Sequence, residues 1–161
     1  MADYFANPID QLWSALTVLI ATILAGLIGL EREISGKPAG FRTQMLVGGA
    51  SALLVILGKT VVDSFGDSVE IGSHVAADPI RIIQAIIVGV SFIGAGTVLK
   101  VEEKNRVRFL TTAASILFSA GVGVAVALEL VILAVAVVVM VISINFLLGA
   151  LSDKFPLGGE D

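Results

Sequence analysis

The sequence predicts an all-α fold, a polytopic transmembrane helical bundle of about five spans, and three observations carry that prediction. Of the 161 residues 57% are hydrophobic and only 15% charged, with a mean hydropathy of +1.00, a composition far from that of soluble domains. The apolar residues gather in the runs 12–30, 45–62, 80–99, 110–128 and 130–151, each close to the ~20 residues a helix needs to cross ~30 Å of hydrocarbon. The runs are continuous and rich in Ala, Leu, Val and Ile, whereas barrel strands are short and alternate. Residues 1–154 therefore read as one transmembrane domain and 155–161 as a short cytoplasmic tail.

The first run is a retained helix rather than a cleavable signal. It lacks a basic leader and runs into Gly29-Leu30-Glu31-Arg32 without a cleavage pattern. The loop that follows carries Arg32, Lys37 and Arg42 and is shaped by Gly36, Pro38 and Gly40. After the second run comes an acidic segment with Asp63, Asp67, Glu70 and Asp78, and after the third a basic loop with Lys100, Lys104, Arg106 and Arg108. Between 110 and 151 the single charge is Glu129, and one straight helix over that length would reach about twice the bilayer thickness. A turn is required near Glu129, or a break at Gly121-Val122-Gly123. Basic loops are retained on the cytoplasmic side, which places the N-terminus outside and the C-terminus, with Lys154, inside. The expected location is the cell membrane, inner or plasma, with several passes.

The chemistry-bearing residues exclude several classes. The absence of Cys rules out disulfides and thiolate-bound zinc, and His74 is alone. Asp63, Asp67, Glu70 and Asp78 follow no cation-loop spacing and read as a solvated loop. Gly94-Ala95-Gly96 lacks the preceding strand and following Lys of a phosphate loop. With no nucleophile triad and no paired carboxylates in an apolar pocket, the chain does not read as an enzyme. No cofactor and no metal site is expected, and the net charge of −4 argues against nucleic acid as a partner.

Three sets of residues remain. Glu31, Arg32, Arg42 and Thr43, with Thr97, Thr111 and Thr112 at similar depth, form a candidate polar cytoplasmic cluster, the alternative being plain interfacial anchoring by snorkelling side chains. Gln84, Ser91 and Asn145 are polar within the hydrocarbon, where an unpaired amide is costly and is expected to face protein. Gly26, Gly29, Gly89, Gly94 and Gly96 are candidate helix-packing positions, and such small-residue faces also suit a homodimer or larger homo-oligomer.

Four blocks of this sequence carry a family resemblance: Gly26-Leu27-Ile28-Gly29-Leu30-Glu31-Arg32-Glu33; Ala39-Gly40-Phe41-Arg42-Thr43 with Leu46-Val47; Phe92-Ile93-Gly94-Ala95-Gly96; and Leu110-Thr111-Thr112-Ala113-Ala114-Ser115. In order and spacing they resemble the MgtC/SapB membrane proteins, over nearly the whole chain and without the C-terminal soluble domain that many members add. Phe109, Ser91 and Leu117 depart from the usual pattern. The resemblance implies an integral membrane regulator linked to magnesium limitation or membrane energetics. It also implies action through other membrane proteins, with the F-type ATP synthase and a sensor kinase as the kinds of partner. The alternative is a small oligomeric ion transporter or channel, which would need a polar route linking Gln84, Ser91 and Thr97; on a helix Thr97 falls off that stripe.

Overall fold

The computed structural model describes residues 7–66, 79–99 and 109–154. Five helices make up the described residues: α1 (Pro8–Ile34), α2 (Phe41–Gly66), α3 (Pro79–Leu99), α4 (Leu110–Ala127) and α5 (Val131–Lys154), with no strand among them. The all-α expectation is met. Asp67, Glu70, Asp78, the basic loop and the tail lie outside the described residues, as does the side chain of Asp63. Helices α1 to α4 are each long and apolar enough to cross a bilayer, and α5 is apolar over Val131–Leu147.

Local chemistry sets the helix ends, so α1 outruns its apolar stretch at both. Asn7 caps α1 by accepting from Ile9 N at 3.1 Å, and Pro8 occupies the first helical position, where its missing N–H costs nothing. At the other end Gly36 takes the left-handed conformation at φ 63°, while Lys37 N donates to Arg32 O and Gly36 N to Glu33 O. That pair of bonds is a Schellman motif and satisfies carbonyls the helix leaves open. The same motif closes α4: Leu130 N donates to Ala125 O and Glu129 N to Val126 O, with Glu129 left-handed at φ 66°. The turn required near Glu129 is thus found there, and Gly121 and Gly123 stay helical.

The helices alternate in direction, and α4 is central, packing against each of the other four. Contact at the centre is set by the smallest side chains. A Cβ on Gly48 of α2 would overlap Ala25 of α1, and one on Gly123 of α4 would overlap the carbonyl oxygen of Gly48. On α1, a Cβ at Gly29 would lie 2.7 Å from Phe41 Cα, and one at Gly26 2.8 Å from Met45 Cγ. Gly58 receives Ile82 of α3, and Gly94 of α3 rests on Ala113. In lipid the hydrocarbon competes equally well for apolar side chains, so close backbone approach and dispersion supply what the hydrophobic effect supplies in water.

Around this centre sit Ala21, Ile28, Ala52, Val55, Ile116, Val122 and Val126. The outer helices bury one stripe each: Ile86, Val90 and Gly94 on α3, and Ala134, Val138 and Val141 on α5. Their other faces are apolar and open, with Phe92 82% and Ile132 88% exposed, as helices bathed in acyl chains require.

The glycines divide accordingly. Gly26, Gly29 and Gly94 pack within the chain, whereas Gly89 and Gly96 have nothing within 4 Å and face outward. Gly123→Ala is expected to lower stability by about 1–3 kcal/mol, the usual cost of overpacking, read as an earlier thermal unfolding midpoint in detergent. Gly89→Ala in the same assay should leave the midpoint unchanged or raise it slightly.

Candidate functional site: a charged clasp at one end of the bundle

The C-terminal end of α1 carries Glu31, Arg32 and Glu33 directly after a long apolar stretch. Successive residues on a helix are turned by about 100°, so these side chains face three directions, and each reaches a different helix. Arg32 is only 3% exposed. Its Nη2 donates to Thr112 Oγ1 at 2.5 Å and its Nη1 to Ser115 Oγ at 3.1 Å, both on α4, while Nε donates to Pro38 O at 3.3 Å in the loop. Ser115 in turn donates its own hydroxyl to Thr111 O at 2.8 Å, which leaves its lone pairs for the guanidinium. Glu31 reaches α5: its Oε2 accepts from Asn145 Nδ2 at 2.8 Å, and Oε1 accepts from Ser35 Oγ at 3.1 Å. Glu33 reaches α2, where its Oε2 accepts from Phe41 N at 2.8 Å. A carboxylate at that position meets both an unsatisfied N–H and the positive end of the helix dipole.

The loop is folded tightly enough to allow this. Gly40 lies against Glu33, where a Cβ would stand 2.9 Å from Oε2. Ala39 adopts φ 53°, and its carbonyl accepts from Gln44 Nε2 at 3.1 Å. Below the clasp a polar stripe continues inward. Thr112, Ser115 and Ser119 recur at helical spacing on α4, facing Gln44 and Ser51 on α2, all buried. Gln44 Oε1 and Ser119 Oγ have no hydrogen-bond partner among the described residues.

Of the residues singled out from sequence, the structure gathers Glu31, Arg32, Thr112 and Asn145 into one network. Asn145 stands with the intramembrane polar set in the sequence reading and in space with Glu31. The other members lie apart. Arg42 is exposed on the first turn of α2, and Thr43 is half-buried beside it. Thr97 turns its hydroxyl back to Gly94 O at 2.7 Å, and Thr111 contributes its carbonyl alone. Gln84 and Ser91 are exposed on the outer face of α3. None of the hydroxyls caps α4, whose N-cap is Phe109 with φ 67° and no side-chain bond. Ser115, Gln44 and Ser119 complete the polar interior. The signal for them was a helical repeat of small polar residues within apolar runs.

The arrangement is structural in its chemistry: a cation fully enclosed by neutral acceptors, and two carboxylates occupied by donors. Among the described residues no group of three or more His, Cys, Asp or Glu side chains converges as a metal site would require.

Fold and clasp together define a helical, multi-pass protein of the cell membrane. The chain belongs to the MgtC family, whose model matches residues 18–154. It is 43% identical over 107 residues to the Escherichia coli protein named "Putative magnesium transporter YhiD", an alignment covering 66% of this chain and 47% of that one. It is 37% identical over 131 residues to "Protein MgtC" of Brucella abortus, covering 81% of this chain and 49% of that one. To "Protein SapB" of Bacillus subtilis it is 37% identical over 103 residues, covering 64% and 42%. The chain thus spans about half the length, or somewhat less, of these relatives. No solved structure matches.

Replacing Arg32 by Lys keeps the charge but cannot reproduce a planar fork bonded on three sides. Arg32→Lys should destabilise the protein by about 1–3 kcal/mol, the cost of buried groups left unpaired. Arg42→Ala, at an exposed position, should stay within about 0.5 kcal/mol of the parent. Thermal unfolding in detergent compares them directly. Ser119→Ala removes a buried hydroxyl that has no partner among the described residues, and the same measurement should find it neutral or stabilising.

Proposed function

We propose that this protein is a membrane regulator acting by contact with other membrane proteins, linked to magnesium limitation or membrane energetics. A magnesium-related role is supported by the family and by the name of the Escherichia coli relative. The observation that carries the regulatory reading is the filled interior. Midway along the bundle Gly48, Gly123, Ala21 and Ala25 bring three backbones into contact, and an ion passing through one chain would have to part them. The clasp end supplies what a partner could read, since Lys37 and Arg42 are exposed around a rigidly tied loop. On the orientation implied by the basic loops, that surface faces the cytoplasm. A membrane-embedded ATP synthase or a sensor kinase offers the kind of surface it would meet. Catalysis has no place in this reading.

Transport is the second reading, favoured by the name that the Escherichia coli relative bears. With the interior closed, it would need a route between copies of the chain, along the outward polar residues Gln84 and Ser91.

The test is reconstitution of the purified chain into sealed vesicles with Mg²⁺, H⁺ and K⁺ flux measured in turn. The expected result is no flux above that of protein-free vesicles, together with crosslinks in native membranes from the Lys37–Arg42 loop to another membrane protein. A specific flux of any of these ions would replace the regulatory reading by the transport one.

A further inference from the structure

The end of the bundle opposite the clasp holds two cavities that share a wall. One, of about 220 Å³, is polar: Asp10, Trp13 and Thr17 of α1, Lys59 of α2 and Glu129 beyond α4 are among its lining residues. The other, of about 280 Å³, is an apolar groove between α1 and α2 lined by Ala15, Val18, Leu53 and Leu57. Ser14, Ile56 and Thr60 line both, so the two adjoin along the contact between α1 and α2.

Depth gives the pair its meaning. Asp10 precedes Arg32 by 22 residues on α1, about 33 Å along a helix, so clasp and polar cavity stand about one hydrocarbon thickness apart. The polar cavity is therefore at the level of lipid headgroups. Val18 lies about 12 Å further in along α1, and Leu53 about 9 Å further in than Lys59 along α2. The two cavities lie side by side over much the same depth, the polar one on the side of α4 with its charges at the outer end, and the groove reaches about one turn deeper along α2, to Leu53. Charges at headgroup level beside an apolar groove suit a single lipid rather than an ion or a soluble metabolite.

The charges select among lipids. Lys59 Nζ donates to Ala127 O at 3.5 Å, and it forms no ion pair with Asp10 or Glu129 among the described residues although all three line the same cavity. An ammonium has three donors, so Lys59 retains capacity for a phosphate. The two carboxylates are acceptors suited to a primary ammonium and repel a purely anionic headgroup. Glu129 is carried there by its left-handed position in the α4–α5 turn, a conformation unfavourable for a side chain that bears a Cβ. A choline headgroup has no N–H to offer the carboxylates.

We infer that the Asp10–Lys59–Glu129 cavity and the α1–α2 groove together form a binding site for one phosphatidylethanolamine. The phosphate pairs with Lys59, the ammonium with Asp10 and Glu129, and an acyl chain lies along Val18, Leu53 and Leu57. The site stands whichever of the two functional readings holds, because it uses neither the clasp nor α3.

The test is retention of defined lipids by the purified full chain, measured by native mass spectrometry after equilibration with dioleoyl phosphatidylethanolamine, phosphatidylcholine or phosphatidylglycerol. Phosphatidylethanolamine should be held about tenfold more strongly than either of the others, a difference of the size one or two charge-assisted contacts supply. Lys59→Met and Asp10→Asn should each reduce it to the phosphatidylcholine level. Leu57→Trp, at an exposed position of the groove, should displace the lipid while helix content by circular dichroism stays unchanged. Equal retention of all three lipids would overturn the site as an ordinary lipid-facing surface. Preference for phosphatidylglycerol, or an ethanolamine preference surviving Lys59→Met, would overturn the charge assignment.

Discussion

One buried guanidinium organises an entire end of this molecule. Taking a cation out of water costs several kcal/mol even after relaxation, and Arg32 is almost wholly enclosed. The cost is offset only while Thr112, Ser115 and Pro38 all hold their acceptors in place. The loop must therefore turn where it does, α4 must begin at the right height, and α1 must not rotate. Glu31 and Glu33 then find α5 and α2 because their neighbour has fixed the rotation of the helix that carries them. A single rotational setting of α1 satisfies three separate helices.

That setting would be of little use in a loosely packed bundle. Gly48 and Gly123 let α1, α2 and α4 approach until backbone meets backbone, so a twist of α1 has nowhere to go. Polar clasp and small-residue contact answer the same problem from two sides. Packing in lipid is strong when intimate but has no preference for one rotation over another, while the hydrogen bonds are directional but few. Together they define one arrangement.

Much of this was legible in the sequence, and the rest failed for a consistent reason. Hydropathy located all five helices, and the lone charge Glu129 marked the turn between α4 and α5. The expectation that intramembrane amides face protein suits Asn145, whose amide reaches Glu31, and does not describe Gln84, which points out of the chain. Phase was invisible. Arg32 and Arg42 each sit at the edge of an apolar run, and nothing in the pattern says that one turns inward and the other out. Gly89 and Gly96 look as suited to packing as Gly48 and Gly123, yet they occupy the open face of α3. Ser115 stands in one of the four family blocks of the sequence, but nothing there says that it meets Arg32 as well as its own backbone at Thr111 O. The backbone bond is the one that small polar residues in membrane helices usually make, as Ser51 does with Val47 O. Gln44, just ahead of the second apolar run, carried no signal of burial.

The clasp joins residues 80 and 83 positions apart, and this separation has a consequence for how the chain is made. At roughly 5–20 residues per second on the ribosome, Arg32 is synthesised about 4–16 s before Thr112 and Ser115. For that interval α1 and α2 form a hairpin whose buried cation has no enclosure, and the side chain must extend along its own stem to the aqueous boundary. Only when α4 arrives can it fold back. Integration of the later helices is thus the step that draws the charge inward, and a nascent chain halted before α4 would carry its arginine still reaching for water.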